Sequence, residues 1–83
     1  MKGGEEMLVR INREEILRFL LTTDVSVKEL SEKSGVARYA LSEILNGKKE
    51  RVTIKTVKKL SSAMNVDPIK IIMEEKNENV ERQ

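Results

Sequence analysis

Gly35 constrains the fold of this chain more than any other residue, because it ends one helical segment about two turns after its start and a second segment follows at once. Ser26 and Glu29 have the spacing of a capping box, which predicts a helix start at Ser26. Leu30 supplies the apolar contact of that helix. Gly35 predicts a left-handed residue that closes it, since only glycine adopts positive φ without cost. The pattern therefore predicts two helices joined by a tight turn.

The segment that follows Gly35 divides cleanly into two faces. At about 100° per residue, each face occupies an arc of about 140°. The split predicts a helix over about residues 38–45 with one core face and one outward polar face. The apolar arc holds Ala40, Leu41, Ile44 and Leu45, and the polar arc holds Arg38, Tyr39, Ser42, Glu43 and Asn46.

Three more helices fit the remaining apolar rhythm, so we predict an all-α bundle of five helices. The first begins at Asn12, with Glu15 completing a second capping box, and stops at residues 22–24. The fourth is capped by Thr53 and ends at Asn65. The fifth opens at Asp67, because Pro68 fits the first helical position. The apolar stripe of the first helix is Ile16, Leu17, Leu20 and Leu21, and that of the fifth is Ile69, Ile72 and Met73, with Ile71 to one side.

The chain reads as one domain between two polar ends. We predict a flexible tail over residues 1–8, a helix-turn-helix domain over residues 9–76 with the motif itself at about 26–46, and a flexible acidic tail over residues 77–83.

The residue types that are missing exclude several classes of protein. The chain has no Cys and no His, which removes disulfides, thiolate metal sites and the commonest general base. Its longest unbroken apolar runs have three residues, too short for a membrane span or a secretory signal. We therefore expect no catalytic residue, no metal, no cofactor and no membrane contact, and a cytoplasmic binding module rather than an enzyme.

The net charge of +2 hides an uneven distribution. Residues 26–70 carry ten basic and five acidic side chains, whereas both ends of the chain are acidic. A basic middle of this kind is either an anion-binding surface or a solvated helical face.

Residues 25–66 resemble the lambda-repressor-like helix-turn-helix domains of the Cro/Xre type. The resemblance lies in residues 26–30, Gly35-Val36, residues 41–48 and residues 53–66. It implies a five-helix bundle that binds double-stranded operator DNA, usually as a homodimer on a two-fold site.

The resemblance also assigns DNA contacts by position. The start of the third helix and its next turn match the positions that reach base edges, and the loop after that helix matches the segment that holds the phosphate backbone through side chains and amides. The expected base contacts are Ala37, Arg38, Tyr39, Ser42 and Glu43; the expected phosphate contacts are Lys28, Asn46, Gly47, Lys48, Lys49 and Arg51.

Several of these residues have a second interpretation. Arg38 either forks onto a guanine, or contacts a phosphate, or is a plain surface arginine. Tyr39 either meets a thymine methyl or phosphate, or packs on a neighbouring helix. Glu43 either accepts from cytosine N4 or pairs within its helix. The lysines at 55, 58 and 59 fit an exposed helix face better than a phosphate site.

Taken together, the residues favour a sequence-specific transcriptional regulator, more specifically a repressor, that inserts residues 38–46 into the major groove. Ile69, Ile72 and Met73 form a candidate dimer interface. The alternative is an antitoxin-like or adaptor module on the same fold, whose main partner is a protein.

Overall fold

The computed structural model describes residues 7–73. Residues 1–6 and 74–83, which hold most of the predicted N-terminal tail and all of the predicted C-terminal tail, lie outside the described residues. The elements in chain order are β1 (Leu8–Arg10), α1 (Arg13–Thr22), α2 (Val27–Ser34), α3 (Arg38–Leu45), β2 (Arg51–Thr53), α4 (Ile54–Met64) and a 3₁₀ helix (Pro68–Ile71).

The turn between α2 and α3 forms as the sequence predicts. The Glu29 amide donates to Ser26 Oγ at 3.1 Å, and the Ser26 amide donates to the Glu29 carboxylate at 2.9 Å. Gly35 ends α2 in the left-handed region with φ of 82°. A Cβ at Gly35 would meet no atom within 4 Å, so its backbone angle alone accounts for the glycine.

Two serine hydroxyls fasten the same turn. Ser31 Oγ donates to the Val36 carbonyl at 2.7 Å, and the Val36 amide donates to Ser34 Oγ at 3.1 Å. The buried Ser34 is thus satisfied at the point where the chain reverses. These bonds fix the direction in which α3 leaves the turn.

A single aliphatic core holds the elements together. α2 packs on both α3 and α4, and α4 also packs on the 3₁₀ helix. Leu41 and Ile44 of α3 are fully buried, and the half-buried Ala40 and Leu45 lie beside them, so the inner face of that helix is anchored in the core. The buried core residues are Ile11, Ile16, Leu30, Val36, Leu41, Ile44, Val52, Val57, Leu60, Met64 and Ile71.

The prediction of a purely α-helical domain was wrong. β1 and β2 form an antiparallel pair in which Val9 faces Val52 across the ladder. Leu8, placed by the sequence in the N-terminal tail, is the first residue of β1. The sequence did not predict these strands, because each has only three residues and its partner lies some forty positions away along the chain. A run of that length shows no alternation of apolar and polar residues from which a strand could be predicted.

The prediction of five α-helices was also wrong, because the fifth is a 3₁₀ helix of four residues. Its tighter winding, three residues per turn instead of 3.6, changes which side chains face inward. Ile71 is fully buried, whereas Ile69 is 68% exposed. The chain then pairs with the N-terminal strand: the Met73 amide donates to the Arg10 carbonyl, and Ile11 bridges to Ile72.

The first helix begins and ends where the sequence predicts, but its cap differs. The Asn12 side chain accepts no hydrogen bond from the first turn, so the predicted capping box is absent. Of the predicted apolar stripe, Ile16 is buried, whereas Leu17 and Leu21 are exposed on the outer side.

The two N-caps allow a matched stability test. Ser26→Ala is expected to lower the free energy of unfolding by about 1 kcal/mol, because it removes the hydroxyl that accepts from the Glu29 amide. Asn12→Ala is expected to change it by less than about 0.5 kcal/mol, since the Asn12 side chain makes no cap bond. Urea unfolding followed by circular dichroism measures both; equal losses would contradict the difference between the two caps.

Candidate nucleic-acid interface

The outer face of α3 presents polar side chains to solvent. Arg38, Tyr39 and Ser42 are exposed, and Tyr39 is 74% exposed, so it does not pack on a neighbouring helix. Glu43 is half-buried and, like Arg38, forms no ion pair with any residue of the described part of the chain. These side chains are therefore available to an external partner.

The start of α3 is uncapped by any side chain, as Ala37 at that position predicts. Ala37 is exposed and contributes only its methyl group and backbone. Its small size leaves the first turn of α3 open to close approach by a ligand.

The loop after α3 folds back onto the end of the helix. The amides of Lys48 and Lys49 donate to the Glu43 carbonyl at 2.9 Å and 3.1 Å, and the Gly47 amide donates to the Ile44 carbonyl at 3.1 Å. Gly47 has φ of 81°, which places it in the left-handed region. Because these amides already have carbonyl partners, the exposed side chains of Asn46, Lys48 and Lys49, which form no ion pair within residues 7–73, are the groups of this loop best placed to meet a phosphate.

An arginine of α1 reaches this loop from the other side. Arg13 Nη1 donates a hydrogen bond of 3.4 Å to the carbonyl oxygen of Leu45, the last residue of α3. The same atom would lie 2.5 Å from a Cβ at Gly47. The guanidinium thus rests directly on the loop backbone, a contact that the sequence did not predict.

Lys28 lies in the first turn of α2 and is exposed. Glu29 beside it is committed to the capping box, so its carboxylate already accepts a backbone bond. Lys28 is therefore placed to add positive charge to a helix N-terminus, where the backbone dipole also favours an anion.

Comparison with protein-family models places this arrangement in a known group. The model of the Cro/C1-type HTH DNA-binding domain matches residues 15–75, which is most of the chain. The chain belongs to the Cro/C1-type helix-turn-helix family. This confirms the family that the sequence motif predicts.

A curated relative carries the same kind of domain. It is described as an uncharacterised HTH-type transcriptional regulator of Methanocaldococcus jannaschii, and it is 34% identical over 82 aligned residues. The match covers 87% of this chain and 48% of the relative, so the chain spans about half of the relative's length. A search of solved structures found no significant match.

The sequence predicted that Arg51 lies in the loop after α3, but the structure places it in a strand. It is the first residue of β2 in this Cro/C1-type domain and pairs with Arg10 across the ladder. The preceding Glu50 pairs with Arg10 through side chains at 3.8 Å, and both groups are well exposed, so the pair contributes little to stability. The loop itself is therefore shorter than the sequence predicts, ending before residue 51.

A second basic surface lies on α4. Lys55, Lys58 and Lys59 are exposed, and α4 contains no carboxylate that would pair with them. Within residues 7–73, none of the three forms an ion pair. The structure thus leaves this face as a charged, solvated surface beside the core.

No group of three or more His, Cys, Asp or Glu side chains is arranged to hold a metal ion between residues 7 and 73. No helix in that range is long and apolar enough to cross a membrane.

Proposed function

We propose that this chain is a sequence-specific transcriptional regulator, a cytoplasmic repressor that inserts residues 38–46 into the major groove of DNA. The observation that carries the proposal is the outer face of α3, which belongs to a Cro/C1-type domain and exposes Arg38, Tyr39 and Ser42, whose side chains have no partner among residues 7–73. A helix with its side chains is about 10–12 Å across, which matches a major groove about 12 Å wide.

In this proposal the base contacts come from one helix. Arg38 forks onto a guanine, Tyr39 meets a thymine methyl, and Ser42 and Glu43 reach bases one turn further along. Ala37 allows the helix to enter closely. The inner face of α3 supports this role, since Leu41 and Ile44 are fully buried and hold the helix rigidly.

The phosphate backbone is held on both sides of α3. Lys28 acts from the N-terminal turn of α2, while Lys48, Lys49 and Asn46 act from the loop. Arg51 adds charge from the start of β2. Gly47 contributes by shape, because its left-handed backbone turns the loop and its missing side chain leaves room for Arg13.

We propose a homodimer on a two-fold operator, with an interface that includes Ile69, Ile72 and Met73. Ile69 is 68% exposed and Met73 is 46% exposed, which leaves apolar surface at one end of the domain. A dimer of this kind reads two half-sites about 34–36 Å apart. Repression follows when the bound dimer excludes other proteins from the same DNA.

Selection of bound duplexes from a random pool tests the proposal. The expected result is an enriched pseudo-palindrome with half-sites one helical turn apart. Failure of the wild-type chain to retain any duplex at 50 mM salt would reject DNA binding as the function, and would favour the adaptor alternative.

Lys49→Ala tests the phosphate contacts. We expect the affinity for the selected duplex and for a scrambled duplex to fall by the same factor, because a phosphate carries no sequence information. The slope of log K against log salt should become shallower by about 0.9. Fluorescence anisotropy between 50 and 200 mM salt measures both quantities.

Lys33→Ala is the control, since it removes the same charge from the last turn of α2. Its salt slope is expected to match that of the wild type. A Lys49→Ala slope that also matches the wild type would exclude Lys49 from the phosphate contacts.

A further inference from the structure

We propose that Arg13 is an additional DNA phosphate contact, which forms with Lys49 a phosphate-binding cleft between the start of α1 and the loop after α3. This inference rests on the proposed function and extends its DNA surface to a helix that the sequence motif does not include.

The cleft lies where three parts of the chain meet. It has a volume of about 310 Å³, and its walls come from residues 10–14, from Ile44 and Gly47, and from Lys49, Glu50 and Met73. Ile11, Ile44 and Met73 form an apolar wall of the cleft, which contributes no charged group that could pair with Arg13 or Lys49 in place of a ligand. A phosphate group is small enough to enter, and the loop expected to follow the DNA backbone forms one side.

The Arg13 guanidinium is held at this cleft by the backbone of the loop. Its Nη1 lies 3.4 Å from the Leu45 carbonyl oxygen and occupies the space that a side chain at position 47 would need. Gly47 is therefore the residue that lets a cation from α1 reach the loop. The contact joins positions that are 32 residues apart in the chain.

The charges in the cleft favour an anion at Arg13 and Lys49. Arg10 and Glu50 already pair with each other at 3.8 Å. Arg13 and Lys49 form no ion pair with any residue between 7 and 73, and both are exposed. The lining of the cleft contains two carboxylates. Glu50 pairs with Arg10, whereas Glu14 has no ion pair within residues 7–73 and would repel a phosphate in the cleft.

The donor geometry of Arg13 suits a phosphodiester. A guanidinium carries five N–H donors in a planar fork that matches two phosphate oxygens. Within residues 7–73 the bond to Leu45 is the one that the Arg13 side chain makes, and it is long and uses one donor, so the other donors can meet a phosphate. A backbone phosphate would then lie between Arg13 and Lys49. The Arg13 guanidinium would donate two hydrogen bonds to its oxygens, and the Lys49 ammonium would add a positive charge.

Arg13→Gln is the decisive variant, because glutamine keeps a polar side chain of similar width but loses the charge and the guanidinium fork. On the selected operator duplex, we expect its affinity to fall about fivefold at 0.15 M salt and its salt slope to become shallower by about 0.9. Arg13→Lys keeps the charge and should retain the wild-type slope. Anisotropy titrations across a salt series, on variants with an unchanged thermal midpoint, provide the measurement.

Arg18→Gln is the matched control on the same helix, since Arg18 already pairs with Glu15 at 4.0 Å. It should leave the slope unchanged, whereas Glu14→Gln should raise the affinity by removing the opposing carboxylate. A wild-type slope in Arg13→Gln would overturn the Arg13 contact while leaving the proposed function intact. Absence of DNA binding by the wild-type chain would instead reject the proposed function itself.

Discussion

Ile71→Ala is expected to lower the free energy of unfolding by about 2–5 kcal/mol, the usual cost of truncating a fully buried isoleucine. Ile71 is 0% exposed and belongs to the same core as Leu60 and Met64 of α4. The truncation removes apolar contacts and leaves a cavity that the surrounding side chains fill only in part. In a domain of this size, such a loss is a large share of a total stability of about 5 kcal/mol.

Ile69→Ala is the matched control, two positions away on the same 3₁₀ helix. Because Ile69 is 68% exposed, its truncation should change stability by less than about 0.5 kcal/mol. Urea titrations compare the two variants, and Ile71→Val, with an expected loss of about 0.5–1.5 kcal/mol, covers the case in which Ile71→Ala is unfolded. A loss at 69 as large as that at 71 would contradict the burial difference, and a larger loss at 69 would favour the α-helical stripe.

The contrast between positions 69 and 71 shows which feature of this segment could not be predicted from the sequence, namely which isoleucine is buried. An i, i+3 pattern after Pro68 fits an α-helix, but the segment ends after four residues and its winding is set by the core beneath it. β1 and β2 were missed for a related reason. Their pairing depends on a partner far along the chain, and a three-residue run is too short to show its period.

The helix-turn-helix itself was predictable because its signals are local. Ser26, Glu29 and Gly35 lie within ten positions of one another and together define one helix and its end. Thr53 and Asn65 mark α4 in the same way: the Thr53 side chain accepts from the Thr56 amide, and Asn65 adopts φ of 60°. Local hydrogen bonds and backbone angles of this kind can be read from residue types alone.

The candidate site follows the same division. The exposure of Arg38 and Ser42 follows from helical periodicity, and both are exposed. The contact of Arg13 with the loop backbone at Leu45 and Gly47 joins positions more than thirty residues apart, so it depends on the path of the chain through space. The positive φ of Gly47 is already a sufficient reason for a glycine at this turn. The residue type therefore gives no indication that Arg13 of α1 also packs against it.

Arg38→Ala is expected to weaken binding to the selected operator by about 1–3 kcal/mol, or roughly 5- to 150-fold, with a much smaller loss on a scrambled duplex. The reason is position: Arg38 is the first residue of α3, exposed and without an ion pair in the described part of the chain. A guanidinium there can donate to both O6 and N7 of one guanine, and the correct base is then distinguished by two bonds.

Competition anisotropy with both duplexes at one salt concentration measures this difference, and Arg18→Ala is the control for loss of an exposed arginine. Arg38→Lys sharpens the assignment, because a lysine keeps the charge but cannot form the planar fork. Loss of specificity in both Arg38 variants would place the fork on a base edge. Equal losses on operator and scrambled DNA in Arg38→Ala, with full recovery in Arg38→Lys, would place Arg38 on a phosphate and leave Tyr39, Ser42 and Glu43 as the residues that read the bases.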